Sequence, residues 1–276
     1  MNIDALFSHI RSKKSFLCIG LDSDQEKIPH HLKSYQHPVY EFNKEVIDAT
    51  TAFCVAYKPN LAFYECRGLL GLKELELTIR YLREHYPDIF LIADAKRGDI
   101  GNTSKMYAKA FFEYLDFDAV TVAPYMGADS VKPFLEFKDK FIILLALTSN
   151  PSAADFQYFT SKENKYLFQE VIAQSKSWGD MNRIMYVVGA TKASMLKEIR
   201  AQIPDHFLLI PGIGAQGGDL RAVSKYGLNR RCGLLVNASR SIIFAGEGED
   251  FAAKAAIKAE KLQQQMEILL KEDGII

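Results

Sequence analysis

Short runs of apolar residues alternate with amphipathic stretches along the whole chain. The runs are rich in Val, Ile, Leu and Phe, which is typical of strands buried on both faces of a parallel sheet. Between them, apolar residues recur at intervals of three and four, the spacing of a helix with one buried face. The pattern predicts eight strands, at 16–21, 54–58, 89–94, 119–124, 141–147, 184–189, 207–211 and 233–237.

Eight strand–helix pairs in a chain of 276 residues predict an α/β protein with a (β/α)8 barrel. The last helical stretch, 251–272, is expected to close the ring against the first strand. No linker or change in composition divides the chain, so we interpret residues 1–276 as one barrel domain. An open, doubly wound sheet is the alternative fold. Two connections, 23–38 and 150–165, are longer than a barrel needs, and both follow strand ends on the face where barrels carry active sites.

Composition argues against several classes of function. Lys plus Arg (34) equals Asp plus Glu (34), so no net charge attracts nucleic acid or a membrane surface. The chain begins without a basic segment followed by an apolar one, and its longest apolar run, 141–147, is too short to cross a bilayer. No CxxC spacing occurs, and the cysteines fall in or near apolar segments. This favours reduced, buried thiols and a cytoplasmic protein, and applies to Cys18, Cys54, Cys66 and Cys232.

Charged residues gather where the first three predicted strands end. Asp22 closes the first strand, Lys58 the second, and Asp94 with Lys96 the third, while Asp99 follows one short turn later. Residues two apart in a strand share a face, so Asp94 and Lys96 are expected side by side. A barrel brings neighbouring strand ends into one cavity, where opposite charges at about 4 Å interact by about 4 kcal/mol per pair. A solvated run of charges is the alternative interpretation.

The segments that follow the last two predicted strands are typical of a phosphate-binding site. The seventh runs into the glycine-rich segment 211–218, and Arg240 follows the eighth. Glycines let a backbone approach its ligand closely, and barrels commonly hold phosphate in the loops after these two strands. The amide of Gln216 and the planar guanidinium of Arg240 are therefore expected to bind a phosphate group. A flexible glycine turn without a ligand is the alternative.

These segments together resemble the orotidine 5'-phosphate decarboxylase family. The similarity runs in order along nearly the whole predicted barrel, and the two long connections are similar to those of the longer bacterial members. Ser239 stands where compact members often carry a glycine before the arginine that binds phosphate. The segments that carry the resemblance are Gly20-Leu-Asp22, Lys58-Pro-Asn60, Asp94-Ala-Lys-Arg-Gly-Asp-Ile-Gly-Asn-Thr103, Leu147-Thr-Ser-Asn150, Pro211-Gly-Ile-Gly-Ala-Gln-Gly-Gly218 and Ser239-Arg-Ser241.

The resemblance implies decarboxylation of orotidine 5'-monophosphate to uridine 5'-monophosphate, a step of pyrimidine biosynthesis. It implies that Asp94 lies against the departing carboxylate and that Lys96 delivers a proton to C6 of the pyrimidine. Lys58 is expected to hold Asp94 and to touch the ribose. Asp22 is expected to bind a ribose hydroxyl, and Ser149 to meet the edge of the pyrimidine and the amide of residue 216.

The resemblance also implies a homodimer whose active sites are shared. In the family, the residues that correspond to Asp99, Ile100 and Thr103 reach into the active site of the other subunit, so that each pocket is completed across the interface. No cofactor or metal is expected, because no Cys/His cluster has ligand spacing. The histidines fall in loops or helices away from the strand ends, and they are His9, His30, His31, His37, His85 and His206.

Two other functions stay open at this point. One is a related sugar-phosphate decarboxylase or aldolase of the kind that uses magnesium. Such enzymes have an acidic residue near the end of the second strand, and this chain has Lys58 there, which disfavours this function. The other is a non-catalytic barrel that binds a nucleotide or sugar phosphate. The presence of Asp94, Lys96 and Asp99 disfavours that function.

Overall fold

Eight parallel strands close into a barrel in the computed structural model, which describes residues 1–213 and 218–276. Neighbours along the chain pair in order, and the last strand pairs with the first. The predicted (β/α)8 barrel is therefore confirmed, and every predicted strand is present. The strands are β1 (Leu17–Leu21), β2 (Ala56–Pro59), β3 (Phe90–Arg97), β4 (Ala119–Val122), β5 (Phe141–Leu147), β6 (Ile184–Val188), β7 (Leu208–Pro211) and β8 (Leu234–Ala238).

Helices cover the outside of the barrel. The last of them packs against the second helix and β1, which confirms that it closes the ring. None of the helices within residues 1–213 and 218–276 has both the length and the apolar character needed to cross a membrane. The α-helices are α1 (Ile3–Lys13), α2 (Pro38–Thr50), α3 (Ala62–Glu65), α4 (Gly68–His85), α5 (Gly101–Lys109), α6 (Ala128–Leu135), α7 (Leu167–Ser175), α8 (Leu196–Gln202), α9 (Leu220–Gly227), α10 (Arg240–Ile243) and α11 (Phe251–Glu272).

The interior of the barrel changes from apolar to polar along its axis. At the amino-terminal end of the strands, the rings of Phe90 and Phe141 meet edge to face with centroids 5.7 Å apart. Burying a side chain of this size stabilises the fold by about 1.5–3 kcal/mol and leaves no room for water. At the carboxyl end, the inward positions become Lys58, Asp94 and Asn237. The charged groups therefore lie above a layer of closely packed apolar side chains.

The cysteines follow the prediction with one exception. Cys18, Cys54 and Cys232 are buried, and all four cysteines are free. Burial raises the pKa of Cys54 to about 11 and that of Cys232 to about 12, so both stay protonated thiols. The expectation of burial is wrong for Cys66, which is exposed. It follows the single turn of α3, whose buried side chain is Tyr64 instead.

Candidate active site

A cavity of about 190 Å³ opens where the strands end. Its walls come from the carboxyl ends of five strands, β1, β2, β3, β7 and β8, and from the residues that follow them. Barrel enzymes place their active sites on this face. Four of the residues singled out from the sequence lie in its wall. The lining residues are Asp22, Lys58, Asn60, Asp94, Pro211, Gly212, Ile213, Asn237, Ser239 and Arg240.

Two lysines flank one carboxylate at this cavity. The Nζ atom of Lys58 donates to Oδ2 of Asp94 at 2.7 Å, and the Nζ atom of Lys96 donates to Oδ1 at 2.5 Å. The Lys58 side chain is only 4% exposed and that of Asp94 11%, whereas Lys96 is 52% exposed. The three side chains contact one another as expected, and Lys58 and Asp94 line the cavity, whereas Lys96 is not among its lining residues. The buried lysine is locked in place, and the other reaches toward solvent.

The charges in this cluster hold one another in their ionised forms. Burial alone would raise the pKa of Asp94, but the ammonium groups of Lys58 and Lys96 outweigh burial and hold it well below its usual range. Burial alone would lower the pKa of Lys58, but the carboxylates of Asp94 and Asp22 raise it above its usual value. At neutral pH, the cavity therefore carries a fixed negative charge beside a fixed positive one.

The third strand is irregular where it carries Asp94 and Lys96. Its pairing with β4 breaks between Ala93 and Arg97, and Lys96 has a φ of 48° in the left-handed region. A regular strand was expected here, ending at residue 94. The structure instead continues the strand to Arg97 through a bulge, a feature that often redirects a side chain near an active site. The two charged side chains meet because of this bulge as well as their spacing.

Asp22 reaches the cavity from the end of β1. The hydroxyl of Tyr64 donates to the carbonyl oxygen of Leu21 at 3.1 Å, which fixes the backbone just before it. Ser23 donates to Asn43 at 2.5 Å just after it. The Oδ1 atom of Asp22 is buried and has no hydrogen-bond partner among the described residues. A buried carboxylate oxygen without a partner in a cavity wall is suited to receive a ligand hydroxyl.

The side of the cavity expected to bind phosphate is formed by the end of β7, the end of β8 and the first turn of α10. Arg240 lines the cavity and is exposed, so its guanidinium can meet an anion. Asn237 donates to the Ser239 hydroxyl at 3.1 Å. A Cβ atom on Gly20 would lie 1.9 Å from that hydroxyl, which explains a glycine at this position in β1. Gln216, predicted to bind phosphate, lies outside the described residues.

Ser149 does not line this cavity, although it follows β5 on the same face. It packs closely against Gly189, where an added Cβ atom would lie 2.7 Å from the Ser149 Cβ. Thr148, the residue before Ser149, is held in place by a side chain of the long connection that follows β5. Gln157 accepts from the backbone N–H of Thr148 and donates to its hydroxyl, both at 2.8 Å. The connection predicted over 150–165 is therefore anchored at the end of the strand.

The last three predicted site residues lie away from the chain's own cavity. Asp99 accepts from the backbone N–H of Ile100 at 2.7 Å. Ile100 is 56% exposed, and Thr103 is exposed on the first turn of α5. None of these three residues is part of the cavity wall. Ile100 and Thr103 are exposed and Asp99 is partly exposed, and all three follow β3 at the carboxyl end of the barrel.

Thr121 was not singled out from the sequence, and Asn60 was named only as part of the segment Lys58-Pro-Asn60, without a role. Thr121 is buried in β4, and its hydroxyl lies against the irregular part of β3. Asn60 forms an isolated bridge with Asp94 and lines the cavity. A signal for Thr121 does exist, because it is a polar residue in the otherwise apolar strand Ala119–Val122. Buried polar groups need partners, so a lone hydroxyl in such a strand marks a specific contact.

Fold and site together are those of a (β/α)8-barrel enzyme. The sequence matches the orotidine 5'-phosphate decarboxylase / HUMPS family over residues 15–256. It is 58% identical over 276 residues to the orotidine 5'-phosphate decarboxylase of Porphyromonas gingivalis, which covers 100% of both chains. It is 58% identical over 266 residues to the enzyme of that name from Christiangramia forsetii, which covers 96% of this chain and 97% of the relative.

A solved structure gives the same result. The OMP decarboxylase of Leishmania donovani is 33% identical with a TM-score of 0.79, and the match covers 96% of this chain and 99% of that one. The chain belongs to the orotidine 5'-phosphate decarboxylase / HUMPS family. The family resemblance stated from the sequence motifs is therefore confirmed. The prediction that the chain is an enzyme, a carboxy-lyase, is confirmed by the relatives as well.

Proposed function

We propose that this enzyme decarboxylates orotidine 5'-monophosphate to uridine 5'-monophosphate, the reaction after which its relatives are named. The observation that carries the proposal is the Lys58–Asp94–Lys96 cluster at a cavity whose other wall holds Arg240. One end of the cavity thus has fixed charges of both signs, and the other has a cation suited to phosphate. A nucleotide that carries a carboxylate at one end and a phosphate at the other matches this arrangement.

The charge cluster suits the chemistry of this decarboxylation. The bond between C6 and the carboxylate breaks, carbon dioxide leaves, and the electron pair stays on C6. Asp94 lies against the departing carboxylate, and the ammonium of Lys96 stabilises the carbanion and then gives it a proton. Because the lysines and the carboxylate are already oriented, they need no rearrangement as charge develops. Each such preorganised group typically contributes about 10²–10³-fold to the rate.

The remaining predicted residues hold the nucleotide. Asp22 binds a ribose hydroxyl through its unpartnered oxygen, and Lys58 holds Asp94 while touching the ribose. Ser149, which follows β5 outside the cavity wall, is assigned to the pyrimidine edge, and Gln216 with Arg240 to the phosphate. Binding energy from the phosphate, far from the reacting bond, helps to orient the base over the charged cluster.

An assay with the purified protein tests this function. Loss of orotidine 5'-monophosphate is followed by absorbance, and the product is identified by mass spectrometry, with and without a chelator. The proposal expects uridine 5'-monophosphate and equal rates in both samples, because no cofactor or metal is assigned to the site. Loss of activity on chelation would favour a magnesium-dependent sugar-phosphate enzyme. Nucleotide binding without turnover would favour a non-catalytic barrel.

We propose a homodimer with shared active sites on the basis of an exposed apolar surface, defined by Ile100, Met106, Tyr107, Tyr125 and Met126. These side chains are between 38% and 89% exposed. They belong to α5 with the residue before it and to the connection that leads from β4 into α6, and α5 packs against α6. A large apolar patch on a water-soluble protein marks an interaction surface. Pairing through this surface would bring its polar neighbours to the other subunit's cavity.

Complementation tests the shared site. Mixing a chain that carries Asp99→Ala with one that carries Lys96→Ala should restore part of the activity, because half of the hybrid dimer's sites then contain neither substitution. Each variant alone is the control. No recovery, with hybrid dimers demonstrated by native mass spectrometry, would contradict the shared site.

We assign the whole of residues 1–276 to one catalytic domain. We also assign the reaction to the cytoplasm, because the four cysteines are free thiols, as is usual in a reducing compartment. Fractionation of cells that express a tagged chain tests the second assignment.

A further inference from the structure

Thr121 stands at the point where the third and fourth strands lose their regular pairing. Ala93 pairs with Val120, and the next pair joins Arg97 with Val122. Three residues of β3 therefore lie opposite a single residue of β4, and that residue is Thr121. Its side chain is buried, with 1% exposure for the whole residue.

The hydroxyl of Thr121 has four hydrogen-bond contacts, all of them with β3, and the longest is to the carbonyl oxygen of Ala93 at 3.5 Å. The hydroxyl accepts from the backbone N–H of Ala95 at 3.0 Å and from that of Lys96 at 2.8 Å. It also lies within donating distance of Oδ1 of Asp94, at 3.2 Å. A hydroxyl has two acceptor positions and one hydrogen, so it accepts both N–H groups and donates to one oxygen. The carboxylate oxygen of Asp94 is nearer than the carbonyl oxygen of Ala93 and carries a negative charge, so it is the better acceptor. One side chain thus joins the backbone of the bulge to the carboxylate between the two lysines.

The bulge depends on such a contact. The extra residues of β3 have no carbonyl partners on β4, and Ala95 is buried, so water cannot replace the missing acceptor. Lys96 has a left-handed backbone, which a residue with a Cβ atom seldom adopts unless its surroundings impose it. The carbonyl of Ala95 is held from the other side by Arg97 at 2.8 Å. Only Thr121, among these supports, contacts both the backbone of Lys96 and the Asp94 carboxylate.

We infer that Thr121 is a positioning residue for the chemical step, which rests on the function proposed above. It sets the bulge that aims the Lys96 ammonium, and it orients the carboxylate that the ammonium contacts. Thr121 is only 1% exposed and is not part of the cavity wall, so the nucleotide is expected to meet the groups that Thr121 holds and not Thr121 itself. The groups expected to bind the ribose and phosphate, Asp22 and Arg240, belong to other strand ends. Loss of the hydroxyl should therefore affect turnover much more than nucleotide binding.

Two substitutions separate the hydroxyl from the volume of the side chain. Thr121→Val keeps the shape and removes the hydrogen bonds, whereas Thr121→Ser keeps the hydroxyl. A displacement of about 1 Å in a reacting group can lower a rate by about 100-fold, and we expect a loss of this order in kcat for the Val variant. The affinity for uridine 5'-monophosphate, measured by calorimetry, should stay close to that of the wild type. The Ser variant should keep most of the wild-type kcat.

A second measurement needs no activity. The folded protein is treated with an amine-reactive reagent, and labelling of Lys96 is then measured by mass spectrometry of its peptides. The labelling rate should rise in Thr121→Val and stay near the wild-type rate in Thr121→Ser. This follows because Lys96 is half exposed and is restrained by Asp94. Wild-type protein without activity on orotidine 5'-monophosphate would overturn the proposed function, and the labelling experiment would still test the role of Thr121.

The inference is overturned by any of four results. The first is a Val variant with wild-type kcat and wild-type labelling of Lys96. The second is a Ser variant that loses as much turnover as the Val variant. The third is a loss of nucleotide affinity as large as the loss of kcat, and the fourth is failure of both Thr121→Val and Thr121→Ala to fold, since either would assign the residue to general stability.

Discussion

Replacing Asp94 with Asn should destabilise the fold, because it leaves the buried ammonium of Lys58 without its negatively charged partner. The substitution keeps the shape of the side chain, removes the negative charge, and replaces one of the two oxygens that accept from the lysines with an NH2 group. The Lys58 side chain is 4% exposed and its ammonium lies 2.7 Å from the carboxylate. Removing one partner of a buried ion pair typically costs about 3–5 kcal/mol. The carboxylate of Asp22 stays nearby, and the Asn oxygen still accepts a hydrogen bond. We therefore expect the free energy of unfolding to fall by about 3 kcal/mol, the lower end of that range.

The effect should depend on pH in a particular direction. In the wild type, the pKa of Lys58 is raised, so its contribution to stability is complete below the unfolded value of about 10.4 and is lost only as the pH rises through the folded value. In Asp94→Asn, burial dominates and lowers the pKa of Lys58 in the folded state. The variant should then gain stability as the pH rises toward about 10.4, because the unfolded chain binds the proton more tightly. The difference in free energy of unfolding between the wild type and Asp94→Asn should therefore become smaller from about pH 7 to about pH 10.

The free energy of unfolding from urea titrations, followed by circular dichroism at several pH values, measures this effect. For a chain of this length, a loss of about 3 kcal/mol corresponds to a fall of about 5 °C in Tm. Glu163→Gln is the matched control, because Glu163 pairs with Lys165 at the same 2.7 Å but the two side chains are 73% and 50% exposed. Surface pairs contribute little, so this control should leave the unfolding midpoint unchanged. Equal losses in the two variants, or a loss in Asp94→Asn that is the same at every pH, would refute the reasoning.

Two further predictions concern the opposite wall of the cavity. Arg240→Ala should weaken binding of uridine 5'-monophosphate by about 10- to 100-fold, the equivalent of one charge-assisted hydrogen-bond pair, and leave binding of uridine unchanged; equal effects on both ligands in calorimetry would argue against a phosphate contact. Gly20→Ala should destabilise the protein by about 1–3 kcal/mol in urea titrations, because its Cβ atom would lie 1.9 Å from the Ser239 hydroxyl. Adding Ser239→Gly should recover part of that loss, and no recovery would count against this contact.

The barrel could be predicted from the sequence because its signal is repeated eight times. Each strand is an apolar run, and the helical stretches between them have a clear three- and four-residue spacing. Pairing and order then follow from the short connections and from the handedness of parallel strands. The positions of Asp22, Lys58 and Asp94 could also be predicted, because each directly follows or ends an apolar run and all strand ends meet at one face.

The bulge in β3 could not be predicted in the same way. A regular strand also places residues two apart on one face, so the sequence around Asp94 and Lys96 fits both structures equally well. The deciding contact comes from Thr121, 25 residues beyond Lys96, and depends on the register of β4. The anchoring of the long connection by Gln157 is likewise a tertiary contact without a local signature. The proposed roles of Asp99 and Ile100 involve a second subunit, so the fold of one chain does not test them.

The central claim is that Lys96 supplies the proton and much of the electrostatic stabilisation at C6. The most direct test is the turnover of Lys96→Ala on orotidine 5'-monophosphate, measured beside its affinity for uridine 5'-monophosphate. Losing a general acid and a preorganised charge together should lower kcat by at least about a thousandfold. The affinity for the product should stay close to that of the wild type, because the ribose and phosphate contacts remain. Turnover near the wild-type rate by this variant would contradict the account.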